Sequence, residues 1–220
     1  MNSTLIGLFG LGFLLGLKHA FDADHIAAMT TLNSKNPSIK GVLWGIGHTS
    51  SLLVVGIFVL LFKIIIPEKL ALSFELIVGV MLVVLGFNLL ITIKRNKLHF
   101  HKHKHGAKEH IHIHSHLVSK YHSHEHKPLL IGLIHGLAGS AALTLLILSA
   151  IDSVPAGILY ILIFGIGSMV GMAAISKIIS LPFEFLPNKF DKINKIMKLS
   201  TGLISLFLGI SIMYSTIILF

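Results

Sequence analysis

The segment LKHAFDADHIAAM at residues 17–29 concentrates groups that can bind a cation. Two imidazoles, His19 and His25, and two carboxylates, Asp22 and Asp24, lie within an otherwise apolar stretch. Ionisable side chains are costly inside a membrane, so their presence in an apolar segment indicates a functional site. A dication such as Ni²⁺, Co²⁺ or Zn²⁺ would stabilise both carboxylates and would bind the neutral imidazoles.

The spacing of these residues limits how they can meet. His19 and Asp22 are three residues apart, as are Asp22 and His25, so each pair is adjacent on a helix. His19 and His25 are about 240° apart around an ideal helix, so a regular helix cannot bring both onto one ion. Asp24 points in another direction again, so either the helix is distorted, or some of these residues orient the ligand imidazoles from an outer position. A structural alternative pairs Lys18 with Asp22 or Asp24.

Two more histidines lie in apolar segments. His48 occurs in GIGHTSS and His135 in LIHGLAG. Both are candidate ligands, and the alternative for each is a histidine packed into the protein interior. The glycines around His135 favour close helix packing.

Composition indicates an integral membrane protein. Of the 220 residues, 54% are hydrophobic and 12% are charged, against about 25% charged in an average soluble domain. Cysteine is absent, which excludes disulfides and thiolate metal sites. The net charge of +9 comes from basic residues that flank apolar segments, so no nucleic-acid partner is expected.

Six segments are long and apolar enough to be membrane helices, and we expect an all-α integral membrane protein in the cell membrane. Lys and Arg concentrate in the loops after the first, third and fifth segments, so these loops are expected to be cytoplasmic and both termini outside. We expect the first segment to be a span and not a removed leader. The six segments are 4–32, 41–66, 72–93, 129–151, 155–179 and 199–219.

Three fragments recur in order along the chain, which predicts two three-helix repeats. An odd number of spans per repeat would insert the copies in opposite orientations, as in many transporters. We therefore divide the chain into a first repeat at 1–93, a loop at 94–127 and a second repeat at 128–220. Chance similarity among Gly-, Leu- and Ile-rich spans is the alternative. The paired fragments are GLKH 16–19 with GLIH 132–135, WGIGHTSSL 44–52 with FGIGSMVGM 164–172, and GVMLVVLGFNLL 79–90 with GLISLFLGISIM 202–213.

Residues 99–126 hold 11 of the 15 histidines. Histidine-rich tracts are typical of metal binding, and we expect this loop to be disordered without metal. A low-complexity linker without a function is the alternative.

Near the second repeat's last span, residues 187–198 show apolar positions at helical spacing, which predicts a short helix on the cytoplasmic surface of the membrane.

The motif formed by His19, Asp24 and His25 resembles the H-x4-D-H signature of the nickel/cobalt transporter family. GIGHTSS and LIGLIHGLAGSAALTLLIL resemble the family's short urease-accessory-type nickel permeases. The resemblance implies a secondary transporter of Ni²⁺ or Co²⁺ that uses the signature residues for selection and transport. It also implies cytosolic nickel chaperones or urease-maturation proteins as partners. Longer members have eight spans with the signature in the second, whereas here it lies in the first.

We therefore predict a Ni²⁺ permease, with Co²⁺ as a second substrate and no resident cofactor. His19, Asp24 and His25 form its core, Asp22 and His48 support it, and His135 is an additional ligand. Uptake is favoured over efflux, and a membrane-anchored metal-storage protein that uses the loop remains an alternative. An intramembrane metalloprotease is not expected, since HxxxxDH differs from the HExxH motif and no glutamate lies at the centre of a span. The chain has no phosphate-binding loop, so it is not expected to hydrolyse ATP itself.

Overall fold

The chain is mainly helical in the residues that the computed structural model describes, which are 3–32, 36–95, 100–105, 108–113, 127–138, 151, 153–185 and 191–220. These residues form helices α1 to α7 and one ribbon of strands β1 and β2. The helices are α1 Ser3–His19, α2 Ala23–Thr31, α3 Pro37–Phe62, α4 Glu68–Arg95, α5 Lys127–Ala138, α6 Val154–Phe185 and α7 Asp191–Leu219.

Four of these helices, α3, α4, α6 and α7, are long and apolar enough to cross a membrane. Helices α1 and α2 make a fifth span if the bent pair is counted as one. The helices at 41–66, 72–93, 155–179 and 199–219 agree with the sequence prediction. The predicted span at 129–151 begins as α5, and its residues 139–150 lie outside the described part of the chain. The protein is therefore helical and multi-pass.

The first predicted span is broken after His19. Helix α2 leaves α1 at an angle of 52°. The last turn tightens, because the backbone N–H groups of Phe21 and Asp22 donate to the carbonyls of Lys18 and His19 at 2.9 and 3.1 Å. Asp22 is extended, with φ −63° and ψ 146°, so the helical path stops there. Its carbonyl accepts from Ile26 N–H at 3.1 Å, which starts α2. Such a break requires protein or a lined cavity around it, because lipid leaves backbone groups unpaired.

Helices α3 and α6 form the centre of the bundle. Helix α3 packs against α6, α4 packs against α7, and α1 packs against α6. In α3 and in α6, half of the apolar 18-residue stretch is buried, whereas in α4 and in α7 22% of the corresponding stretch is buried. The outer pair therefore presents most of its apolar surface outward, with Phe207 and Tyr214 as exposed examples.

Glycines let α1 and α5 pack so closely that their backbones contact the backbones of neighbouring helices. A Cβ at Gly16 would collide with the carbonyl of Phe164 on α6. A Cβ at Gly132 would collide with the carbonyl of Trp44 on α3. A second set of contacts has the same arrangement: Gly167 lies against the carbonyl of Phe13 and the nitrogen of Leu17, and Gly47 lies against the carbonyl of Leu129 and the nitrogen of Leu133.

The two central helices and the two outer helices also make their glycine contacts in pairs. On α3 and α6, a Cβ at Gly45 would lie 2.6 Å from Met169 Cγ, and one at Gly165 would collide with Thr49. The outer helices α4 and α7 cross at glycines as well. A Cβ at Gly86 would lie 2.7 Å from the carbonyl oxygen of Gly202, and one at Gly209 would lie 2.6 Å from that of Gly79. Interhelical contacts through small residues are typical of membrane bundles.

The histidine-rich loop contains the ribbon. Strand β1, Phe100–His105, pairs antiparallel with β2, Lys108–Ile113. His101 is opposite His112 in the register, and His103 is opposite His110. Residues 96–99, 106–107 and 114–126 of this loop lie outside the described part, and the metal-free disorder expected for the loop stays a prediction.

The prediction of a separate surface helix is wrong for residues 191–198. These residues are the first turns of α7, which runs without a break to Leu219. Helical spacing of apolar residues does not distinguish an independent helix from the extension of a span. No glycine or proline lies between Asp191 and Leu199 to end the helix. Residues 187–190 lie outside the described part of the chain.

Candidate metal centre

Four histidines from four helices converge on one point. They are His19, which ends α1, His25 on α2, His48 on α3 and His135 on α5, and they are all the histidines outside residues 99–126. His25 lies in the middle: its ring centroid is 4.6 Å from that of His19, 5.2 Å from that of His48 and 4.0 Å from that of His135. The rings of His19 and His48 are 5.2 Å apart.

Three of these imidazoles are almost fully buried. The exposed fraction is 1% for His25, 0% for His48 and 2% for His135, whereas the His19 side chain is 21% exposed. Among the described residues, four buried ring nitrogens have no hydrogen-bond partner: His25 Nε2, both nitrogens of His48 and His135 Nδ1. Buried polar atoms are normally paired, so unpaired ones need an explanation. Neutral imidazole nitrogens are the commonest metal ligands.

The carboxylates orient these imidazoles. Asp24 Oδ1 accepts from the His25 backbone N–H at 2.9 Å and from His25 Nδ1 at 3.2 Å, and Asp24 Oδ2 accepts from His135 Nε2 at 2.9 Å. Asp22 Oδ2 accepts from His19 Nδ1 at 2.8 Å. An ionised carboxylate only accepts, so Nδ1 of His19 and of His25 carries the proton and Nε2 keeps its lone pair. This carboxylate–imidazole arrangement orients metal ligands in many sites.

Asp22 and Asp24 pair with histidines and not with Lys18. In the part of the chain that the structure describes, the ion pairs of Asp22 and Asp24 are with histidines, and none joins either aspartate to Lys18. The structural alternative raised by the sequence is therefore not what the fold contains.

The side chains form two sets of potential ligands that share His25. One set is His19, His25 and His48, and the other is Asp24, His25 and His135. Within each set the ligand atoms lie within 4.8 Å of one another. Metal–nitrogen bonds of about 2.0–2.1 Å bring two ligand atoms to within about 4.2 Å, so a small inward movement of the side chains is sufficient.

The break in the first span is what brings His19 and His25 together. It places His19 at the end of one helix and His25 in the first turn of the next. Asp22 and Asp24 lie at the start of α2, where the positive end of the helix dipole favours carboxylates. Both possibilities left open by the spacing therefore occur together: the helix is distorted, and the carboxylates contact imidazoles.

Sequence reasoning did not identify the aromatic residues around the centre. Trp44 is fully buried, and its ring is stacked with that of His25 at 6.0 Å and an interplanar angle of 12°. It also lies 5.7 Å from the ring of His135, and Phe164 lies 5.6 Å from that of His19. Trp44 could have been identified from the sequence, because it lies four residues before His48 and both therefore share one helix face.

Of the six candidate residues, five converge directly and the sixth, Asp22, lies at the edge. Its side chain is 52% exposed, and it reaches the centre through His19. The five that converge are His19, Asp24, His25, His48 and His135.

Comparison with known proteins agrees with this chemistry. The family model for high-affinity nickel-transport proteins matches residues 5–218. The chain is 38% identical to the urease accessory protein UreH of Bacillus sp. (strain TB-90), over 96% of this chain and 92% of UreH. It is 45% identical to the nickel transporter NixA of Staphylococcus aureus (strain NCTC 8325 / PS 47), over 23% of this chain and 18% of NixA.

A third relative is more distant. The chloroplast protein FOR GROWTH AND FERTILITY 2 of Arabidopsis thaliana is 25% identical, over 93% of this chain and 55% of its own length. No solved structure matches. The resemblance seen in the signature motif is confirmed, and Ni²⁺ is the substrate of this family and not a resident cofactor. The chain belongs to the high-affinity nickel-transport protein family, whose members are membrane transporters and not enzymes.

Proposed function

We propose that this protein is a secondary permease that moves Ni²⁺, and Co²⁺ as a second substrate, into the cell through the centre described above. His19, Asp24 and His25 form the core of the ion path, Asp22 and His48 support it, and His135 joins from α5. The observation that carries the proposal is the convergence of four imidazoles and a carboxylate at the break of a membrane helix. Broken helices that meet an ion are a recurring feature of secondary transporters.

The donor set fits the substrate. Imidazole suits Ni²⁺, Co²⁺, Zn²⁺ and Cu²⁺, whereas Mg²⁺ and Ca²⁺ prefer oxygen ligands. Neutral imidazoles hold the dication, and the two carboxylates offset its charge. The buried nitrogens of His25, His48 and His135 that have no partner among the described residues would gain one in the ion.

The proposed architecture is two inverted repeats of three spans, 1–93 and 128–220, joined by the loop at 94–127. The matched glycine contacts support it. In the sequence alignment of the repeats, Gly16 corresponds to Gly132 and Trp44 to Phe164. A two-fold relation between the halves then requires that Gly16 meet Phe164 when Gly132 meets Trp44, which is the observed pairing.

The outer helices support the same relation. Gly79 corresponds to Gly202, and Gly86 corresponds to Gly209. The contacts join Gly79 with Gly209 and Gly86 with Gly202, so each contact is the two-fold image of the other. In this architecture α5 is the start of the fourth span, and six spans leave both termini on the same side of the membrane.

The proposed orientation has both termini outside and the histidine-rich loop in the cytoplasm, because the loops on that side carry most of the lysines. The membrane potential then favours entry of a dication by about 4.6 kcal/mol per 100 mV, twice the value for one charge. Uptake needs no further coupling, whereas efflux does. The loop would receive ions after entry and pass them to cytosolic nickel chaperones or urease-maturation proteins, as the name of the urease accessory relative suggests.

The test is cellular accumulation of radioactive nickel, with and without the protein, and with His25→Ala. Accumulation that rises with the protein and returns to background with His25→Ala supports uptake through the centre. A fall that His25→Ala removes indicates efflux by the same centre. A change that survives His25→Ala contradicts the role of the centre and assigns the effect to metal storage in the loop.

A further inference from the structure

We propose that the centre contains two overlapping ion subsites that share His25 and are filled one at a time. The imidazole subsite consists of His19, His25 and His48, and the carboxylate subsite consists of Asp24, His25 and His135. The inference rests on the proposed function and adds to it the route that an ion takes through the centre. The ion binds first between the imidazoles and then moves to the carboxylate subsite.

The distances separate the two subsites. His48 and His135 belong to different sets, and their ring centroids are 6.0 Å apart. His25 is the member that both sets contain, with its ring 5.2 Å from that of His48 and 4.0 Å from that of His135. Among the described residues, no group of ligand atoms that all lie within 4.8 Å of one another contains both His48 and His135, so one ion is better placed beside one of them than beside both.

The chemistry of His25 makes the subsites mutually exclusive. A neutral imidazole has one lone pair, because the other nitrogen carries the proton. His25 Nδ1 lies 3.2 Å from Asp24 Oδ1, and His25 Nε2 has no partner among the described residues. With the proton on Nδ1, the lone pair of Nε2 serves the imidazole subsite. His25 therefore offers one lone pair, which binds an ion in one subsite or in the other but not in both at once.

The two subsites also differ in charge and in origin. The imidazole subsite is neutral, which selects metals that prefer nitrogen, and the carboxylate subsite adds one negative charge. His135 is the one centre residue from the second half of the chain. Transfer of the ion from His48 to His135 therefore moves it from contacts within the first half to contacts shared between the halves. Relative movement of two repeats around a site is how inverted-repeat transporters open to alternate sides.

Trp44 allows binding to be measured at the centre alone. It is the one tryptophan of the chain and is stacked beside His25, whereas residues 99–126 contain none. The experiment titrates NiCl₂, at free concentrations set by a chelator buffer, into the purified full chain in detergent and follows quenching of tryptophan fluorescence. The same variants are assayed in cells for radioactive nickel flux. They are His48→Ala, His135→Ala and the double variant, with His122→Ala in the loop as the matched control.

Two subsites predict an asymmetric result. His135→Ala keeps the affinity seen by Trp44 within about twofold, because the imidazole subsite is intact, but lowers flux more than tenfold. His48→Ala weakens binding at least tenfold and leaves residual quenching through the carboxylate subsite. The double variant shows no saturable quenching, and His122→Ala resembles the unchanged protein.

A single merged site predicts something else. If His135→Ala weakens quenching as much as His48→Ala does, or leaves flux unchanged, the two-subsite proposal is overturned. Absence of flux in the unchanged protein overturns the proposed function itself, which this design detects separately. If an alanine variant does not fold, His48→Gln and His135→Gln replace it, since the glutamine at 135 still donates a hydrogen bond to Asp24 but is a weak ligand.

Discussion

His135 Nε2 lies 2.9 Å from Asp24 Oδ2, although the two residues are 111 positions apart in the chain. The same carboxylate accepts from the backbone and the ring of His25. Asp24 therefore connects α2 of the first half with α5 of the second half through groups that contact the ligand imidazoles. A change at Asp24 acts on two imidazoles at once, whereas a change at Asp22 acts on one.

This difference predicts unequal effects for two matched substitutions. Asp24→Asn removes the negative charge of the carboxylate subsite and weakens the hydrogen bonds that orient His25 and His135. Loss of hydrogen bonds that orient ligand imidazoles typically lowers metal affinity or activity about 10- to 100-fold. We expect nickel flux to fall at least tenfold with Asp24→Asn and less than about threefold with Asp22→Asn, whose side chain is 52% exposed. Radioactive nickel uptake at equal protein levels measures both. Equal losses would contradict the central position of Asp24.

A second pair of matched substitutions, at Gly16 and Gly10 of α1, tests helix packing at glycine. Gly16 lies against the carbonyl of Phe164, whereas a Cβ at Gly10 would meet nothing within 4 Å. Gly16→Ala is expected to destabilise the bundle by about 1–3 kcal/mol through overpacking, and Gly10→Ala is expected to have little effect. Thermal unfolding in detergent, followed by circular dichroism, measures the difference. The same loss in both variants would show that the contact with α6 is not what matters.

Gly132 provides an independent test of the two-fold relation. Its Cβ would collide with the Trp44 carbonyl, as that of Gly16 would with the Phe164 carbonyl. Gly132→Ala is therefore expected to lower the unfolding temperature by an amount similar to Gly16→Ala. It should also reduce nickel flux more, because the Trp44 ring is stacked beside that of His25. A Gly132→Ala protein as stable as the unchanged chain would argue against equivalent packing in the two halves.

Trp44 is expected to support the centre by packing. Trp44→Ala would leave a cavity beside His25 and His135, and Trp→Ala changes in a core typically cost about 3–5 kcal/mol. Trp44→Phe keeps an aromatic ring in the position and should cost less. The unfolding temperature and the nickel flux of the two variants provide the comparison. If Trp44→Ala retains both, the stacked contact at 6.0 Å has no structural role.

Orientation can be tested because the chain has no cysteine. Single changes Ser3→Cys near the amino terminus and Ser119→Cys in the histidine-rich loop introduce one labelling position each. With an impermeant maleimide on intact cells, Ser3→Cys should react and Ser119→Cys should react only after permeabilisation. Labelling of both after permeabilisation is the control. The opposite pattern would reverse the proposed topology and make the loop external.

Deletion of residues 99–126 separates the centre from the loop. We expect the initial rate of nickel flux to remain within about twofold, since the centre lies outside the deleted segment, and total retention of nickel to fall because 11 imidazoles are lost. Time courses of accumulation and washout distinguish the two quantities. Complete loss of the initial rate would favour the loop as the functional element.

Much of the local structure was predictable from the sequence because it depends on neighbouring residues. Apolar length predicted the helices α3, α4, α6 and α7, since lipid requires about 20 apolar residues per span. The i,i+3 spacing predicted the contact between His19 and Asp22, which is 2.8 Å long. The separate surface helix was predicted wrongly for residues 191–198, because the periodicity there is shared by a longer helix that continues into the membrane.

The sequence by itself determined the set of candidate residues and their chemistry. Histidine and aspartate in apolar segments are costly wherever the chain folds, so their presence marks a site before any contact is known. Only the tertiary structure decided how these residues meet. The 52° break placed His19 beside His25. Packing between helices, including that of α5 against α3, brought His135 to Asp24 and placed Trp44 beside the rings of His25 and His135. These contacts join residues distant in the chain, so they depend on close packing between helices and not on any local pattern of residues.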